Sequence, residues 1–160
     1  MSFIQPCYIR KNTPELRKKL EELGYEPSYP IFQYPEVYKH IAACNFFGSK
    51  YYGVSDDEVS HHGEIKDAIK NGGMIDCGTN EQLFLALAAL RDDSDINQIY
   101  LWNERHLVKC IRDYSCTLNI EATPYYMCQL IDNSDIKFEI PCKELRKATV
   151  EEIIEHFKNK

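Results

Sequence analysis

The chain has 160 residues, a formal net charge of −6 and 44% hydrophobic residues, with enough aromatic and aliphatic side chains for a core, which excludes a mainly disordered chain. Its longest apolar run, Leu83 to Leu90, is far short of the ~20 residues of a spanning helix, so no membrane segment is expected. A net-acidic chain neutralises few phosphates, so nucleic acid is not the expected partner either.

In chain order, Phe3 to Ile9 is a short apolar, strand-like segment. Thr13-Pro14-Glu15 then opens a helix: the Thr13 hydroxyl caps the first turn and Pro14 sits where its missing donor matters least. Leu16, Leu20 and Leu23 form the buried stripe, and Gly24 supplies the left-handed stop. The basic residues Arg10, Lys11, Arg17, Lys18 and Lys19 are diluted by Glu15, Glu21 and Glu22 and read as a solvated face. Residues 24–37 carry Pro27, Pro30 and Pro35 among tyrosines and read as an irregular packed loop. Tyr38 to Phe47 and Lys50 to Val54 predict a hairpin around Gly48-Ser49.

Met74 to Gly78 reads as a strand leading into a second helix, with Thr79 and Gln82 in a capping box. That helix, Leu83 to Leu90, is apolar all round and is the expected centre of the core. Ile99 to Trp102, Val108 to Ile111, Cys116 to Ile120, Tyr125 to Leu130 and Ile136 to Ile140 read as successive strands. The Ile99 strand would complete a β-α-β order. A third helix starts at Thr149 with Glu152 as its capping partner and buries Val150, Ile153, Ile154 and Phe157. The three helix starts share one pattern: an apolar segment with a Cys at or near its end, a gap, then Thr-x-Glu. The unequal gaps argue against a solenoid. The expected fold is a single α+β domain over residues 1–160, with about three helices on one side of a mainly antiparallel sheet.

Seven cysteines stand at 7, 44, 77, 110, 116, 128 and 142. The count is odd and no close C-x2-C pair is present, so they read as reduced, structural thiols of a cytoplasmic protein. Asp56, Asp57, His61 and His62 are the candidate metal ligands, but the spacing matches no metal motif, and a polar surface loop explains them. Cys77, just before a helix start, is the candidate nucleophile; a strand-to-helix corner explains every residue there and is the favoured reading. Tyr25, Tyr29, Tyr34, Tyr38, Tyr51 and Tyr52 are the candidate binding surface, because tyrosine buries area while offering a hydroxyl. No phosphate loop or dinucleotide fingerprint is present, and no cofactor is expected.

Three stretches carry a resemblance: Phe3 to Arg10 running into Thr13-Pro14-Glu15-Leu16, Ile75 to Glu81 with Leu83 to Asp93, and Lys147 to Glu152. They resemble small hypothetical proteins encoded by phages and mobile elements of gut bacteria, a family without assigned activity. The likeness covers about a third of the chain and carries over no functional residue. It implies an intracellular accessory protein acting on a host component. The combined reading is a non-enzymatic protein that binds another protein. The alternatives are a small-molecule or nucleotide-sequestering binder using a helix N-terminus, and an enzyme using Cys77 or the His61-His62 region.

Overall fold

A computed structural model of the chain describes residues 3–28, 37–44, 49–56, 63–92, 94–113 and 124–158. The fold is α+β, with two sheets in place of the single sheet expected, and the chain divides into two compact units, Met1–Asp92 and Asp93–Lys160.

In the first unit the described strands are β1 (Cys7–Ile9), β2 (Glu26–Pro27), β3 (His40–Cys44), β4 (Lys50–Val54) and β5 (Ile75–Asp76), ordered β2-β4-β3-β1-β5. The predicted hairpin is the antiparallel β3–β4 pair, whereas β5 joins β1 in parallel. Three helices are described in this unit: α1 (Pro14–Leu23), α2 (Gly63–Lys70) and α3 (Glu81–Ala88). The Thr13 hydroxyl accepts from the Leu16 amide at 3.1 Å, and Gly24 ends α1 at φ +117°. Helix α3 departs from the predicted cap. Asn80, not Thr79, accepts from the first turn, at 3.0 Å from the Leu83 amide. Gly78, at φ +58°, turns the chain so that the Asn80 amide reaches the Cys77 carbonyl, and Thr79 is spent inside that turn.

Side chains alternate across a strand, so Cys7 and Ile9 share one face of the sheet and Tyr8 takes the other. Helix α3 covers the first face, where the Cys7 thiol lies 3.7 Å from the Phe84 carbonyl, and α1 packs beside α3. Leu83, Leu87 and Leu90 are all buried, as the run of apolar residues predicts. The opposite face carries Tyr8, Ala42, Val54 and Met74, with Ala68 of α2 packed on them. Helices therefore lie on both faces of this sheet, not on one, because both faces of its central strands are apolar. Helix α2 is not among the predicted elements, because Lys66, Asp67 and Lys70 break up the apolar pattern of its sequence.

The second unit contains β6 (Ile99–Trp102), β7 (His106–Asp113), β8 (Tyr125–Leu130), β9 (Lys137–Pro141), β10 (Leu145–Lys147) and α4 (Val150–Lys158). Strands β6 to β9 form an antiparallel meander, and β10 returns to pair with β6, giving the order β10-β6-β7-β8-β9. The two edge strands, β9 and β10, are joined by a single 3-10 turn, Cys142–Glu144. So short a link requires the sheet to curl until its edges approach, as in a small, partly open barrel. A β-bulge between Cys110 and Arg112 of β7 adds local twist in the same sense. The inner face holds Tyr100, Val108, Cys110, Tyr126, Cys128 and Ile140. Helix α4 starts as predicted: the Glu152 amide donates to the Thr149 hydroxyl at 3.1 Å, and the Thr149 amide donates to the Glu152 carboxylate at 2.8 Å. Its Ile153 and Phe157 are buried. The strand, helix, strand order of β5, α3 and β6 stands in the chain, but β5 and β6 belong to different sheets. The predicted strand Cys116 to Ile120 lies outside the described residues.

Candidate functional site

Among the described residues, two places gather polar side chains around a hollow or an edge. The first is the sheet edge of the first unit. Strand β3 is antiparallel to β1 and to β4, so β1, β4 and β5 all run the same way and end on one edge, where β3 begins. Arg10, Asp56 and Asp76 follow or close those strands, and His40 opens β3. Arg10 donates to the Tyr8 hydroxyl at 3.3 Å and to Asp76 at 3.1 Å. The other Asp76 oxygen accepts the Gly78 amide at 2.8 Å. Burial raises the Asp76 carboxyl, but the Gly78 amide, the Tyr8 hydroxyl and Arg10 outweigh it and hold the group below its ordinary value. Burial, reinforced by the Asp76 bond, pushes Tyr8 up to about 12.

His40 is 6% exposed, and its Nε2 lies 2.5 Å from an exposed Asp56 oxygen. That hydrogen bond lowers the Asp56 carboxyl. The buried Nδ1 of His40 finds no hydrogen-bond partner among the described residues. The sequence pattern did not single out His40, since the pairing of β3 with β4 is what carries it to Asp56, sixteen positions away. Among the described residues no group of three or more His, Cys, Asp or Glu side chains is placed to hold a metal ion. Of the four candidate ligands only Asp56 is described, and it pairs with His40; Asp57, His61 and His62 lie outside the described residues.

The candidate nucleophile, Cys77, is 4% exposed, with its thiol 3.9 Å from the Ile75 carbonyl. Cys7, Cys110 and Cys128 are buried as well, and burial pushes the Cys128 thiol up to about 11, so at neutral pH it is a protonated, inert group. Of the six tyrosines, Tyr25 and Tyr51 are 2% exposed; the Tyr25 hydroxyl donates to the Ala88 carbonyl at 2.7 Å and its ring stacks on Phe3. Both are interior side chains, held by packing that also involves distant segments of the unit. Tyr38 and Tyr52 are half-buried, and Tyr29 and Tyr34 lie outside the described residues. The N-terminal basic residues are largely paired: Arg10 with Asp76, Lys11 with Glu81 at 3.0 Å, and Arg17 with Asn12.

The second place is the β6–β7 hairpin end of the second unit. Asn103 and Glu104, both at positive φ, form its tight turn, closed by the Arg105 amide donating to the Trp102 carbonyl at 3.0 Å. A hollow lies on either side of this turn, and Arg105 lines both. The smaller, about 370 Å³, is bounded by Trp102, Asn103 and His106. The larger, about 520 Å³, is an open groove with Leu101 and Leu107 on one side and Glu151, Glu152, Glu155 and His156 of α4 on the other.

The groove's wall is fixed by ion pairs. Arg146 of β10 binds Glu104 and Glu152, each at 2.7 Å, and these bonds hold the guanidinium well above its usual range. The same Arg146 bond, with the Thr149 amide, lowers Glu152 from 4.5 to about 2. His156 is 2.9 Å from Asp132. The half-buried Trp102 is anchored by its indole N–H, which donates to Glu144 at 3.1 Å. Comparison with protein-family models, with curated proteins and with solved structures finds no match to this chain.

Proposed function

We propose that the protein works in the cytoplasm by binding another protein, and that the β6–β7 hairpin end with the start of α4 is the surface it uses. One observation carries the reading: an open groove of about 520 Å³ combines leucine side chains with charged walls and adjoins a hollow edged by the chain's single Trp. Trp and Arg are the residue types that dominate binding energy at protein interfaces, and Trp102 and Arg105 flank this turn. The chemistry-bearing groups elsewhere support binding over catalysis. Cys7, Cys77, Cys110 and Cys128 are buried, Arg10 is engaged with Asp76, and His40 with Asp56. Among the described residues no helix is long and apolar enough to cross a membrane. The resemblance of the three stretches quoted above makes a host protein the partner to seek.

Replacing Arg105 with p-benzoylphenylalanine tests the reading, with the same replacement at exposed Lys66 of α2 as the comparison. Irradiation in the host cell should give a discrete covalent adduct from position 105. An adduct from position 66 and none from 105 contradicts the proposal.

The unpartnered Nδ1 of buried His40 favours a second reading, a small ligand held at the Arg10–Asp76 edge. A metabolite that raises the melting temperature of the wild type and not of His40→Ala would support it; equal shifts in both would remove it.

A further inference from the structure

We infer that the occupant of the larger groove is a short basic and apolar polypeptide segment, with Lys or Arg side chains set against α4 and an apolar side chain set on Leu101 and Leu107. This rests on the protein-binding reading and adds the partner's chemistry. The groove's size falls within the range of about 300–1,000 Å³ typical of ligand pockets. Leu107 is 8% exposed and Leu101 is half-buried, so the two offer an apolar floor whose remaining surface a partner's side chain covers.

The charge around that floor is one-sided. Glu151 and Glu155 are exposed on α4, one turn apart, and face the same groove. Glu152 is matched by Arg146, but that one guanidinium also serves Glu104, so two carboxylates share a single cation. His156 sits against another carboxylate, Asp132. Arg105 is the cation of the opposite wall, on the turn. Among the described residues around the groove, Glu104, Asp132, Glu151 and Glu152 stand against Arg105 and Arg146, so acidic side chains outnumber basic ones there even with Glu155 set aside. A cationic partner gains attraction there and an anionic one is repelled. The cationic ends of Lys and Arg sit on long apolar stems, which suits a groove that is greasy below and acidic above. A peptide of Asp and Glu, or a nucleic acid, is disfavoured by the same charges.

The test uses the full chain and three fluorescein-labelled peptides of equal length: alternating Lys and Leu, alternating Glu and Leu, and alternating Lys and Ser. Fluorescence anisotropy should show the Lys–Leu peptide binding at least tenfold tighter than either other, with affinity falling as salt is raised. The double variant Glu151→Lys, Glu155→Lys, both exposed positions, should lose at least tenfold for the Lys–Leu peptide while keeping a folded circular dichroism spectrum. Equal or tighter binding of the Glu–Leu peptide overturns the inferred chemistry, as does a double variant that binds Lys–Leu unchanged. Benzophenone-bearing versions of the peptides separate this failure from failure of the groove itself. Crosslinks within 101–107 or 151–156 from the Glu–Leu peptide leave the groove standing and refute only the charge assignment. Crosslinks confined to other residues remove both.

Discussion

The indole of Trp102 on β6 and the ring of Phe138 on β9 lie with centroids 4.9 Å apart, although β7 and β8 separate their strands in the sheet. In a flat sheet three strand spacings would hold such residues about 14 Å apart at the backbone. Their contact is the packing consequence of the curl imposed by the Cys142–Glu144 link, and it sets the wall of the smaller hollow. Phe138→Ala should lower stability by about 2 kcal/mol, below the usual range for a fully buried Phe because this ring is half-exposed. Denaturant titration reads that loss. The emission of the single Trp should also shift to the red as its ring gains water.

The capping of α3 gives a sharp distinction between neighbouring residues. Asn80→Ala removes the acceptor for the Leu83 amide and should cost about 1 kcal/mol, whereas Thr79→Ala should change stability by less than about 0.5 kcal/mol. Thermal or urea unfolding of the two variants side by side checks the order.

Asp95 binds the Tyr100 and Tyr126 hydroxyls, each at 2.9 Å, and the two rings meet edge to face at 5.6 Å. Burial, followed by the Asp95 bond, raises Tyr100 far above the ordinary tyrosine value, so its hydroxyl stays a protonated donor. Each Tyr→Phe change should cost about 1.5 kcal/mol, the scale of a hydrogen bond to a charged group. The double variant should depart from additivity by at least about 0.5 kcal/mol, because the two donors share one carboxylate.

Glu152 makes stability depend on pH in a predictable direction. The Arg146 bond, then the Thr149 amide, hold its folded pKa at about 2, below the ordinary 4.5. A depressed carboxyl stabilises the fold above the unfolded value and loses that contribution as pH falls through the folded one. The stability difference between wild type and Glu152→Gln should therefore be constant above about pH 5 and shrink between about pH 4.5 and pH 2. Chemical denaturation across that range measures it.

Much of this fold was legible locally. Thr13 and Thr149 announce their helices because a cap is a contact between residues three apart, and the Leu16, Leu20 stripe needs only the helical period. The all-apolar run at Leu83 reads as buried because no face of it suits water. Contacts set by long-range register were invisible. His40 meets Asp56 only because β3 and β4 pair as they do, and Arg146 finds Glu104 across forty-two positions. Strand β10, Leu145-Arg146-Lys147, is too short and too charged to announce itself, yet it adds an edge to the sheet beside β6 and fixes the groove's wall. The tyrosines illustrate the limit of composition: Tyr25 and Tyr51 carry the residue type of an interface and the burial of a core.

The most direct measurement is a backbone amide NMR titration of the full chain with the unlabelled Lys–Leu peptide. Shifts should concentrate in Leu101–Leu107 and Glu151–His156 and saturate together with one affinity. Shifts concentrated instead at Arg10, His40 and Asp76, with the hairpin end unmoved, would contradict it.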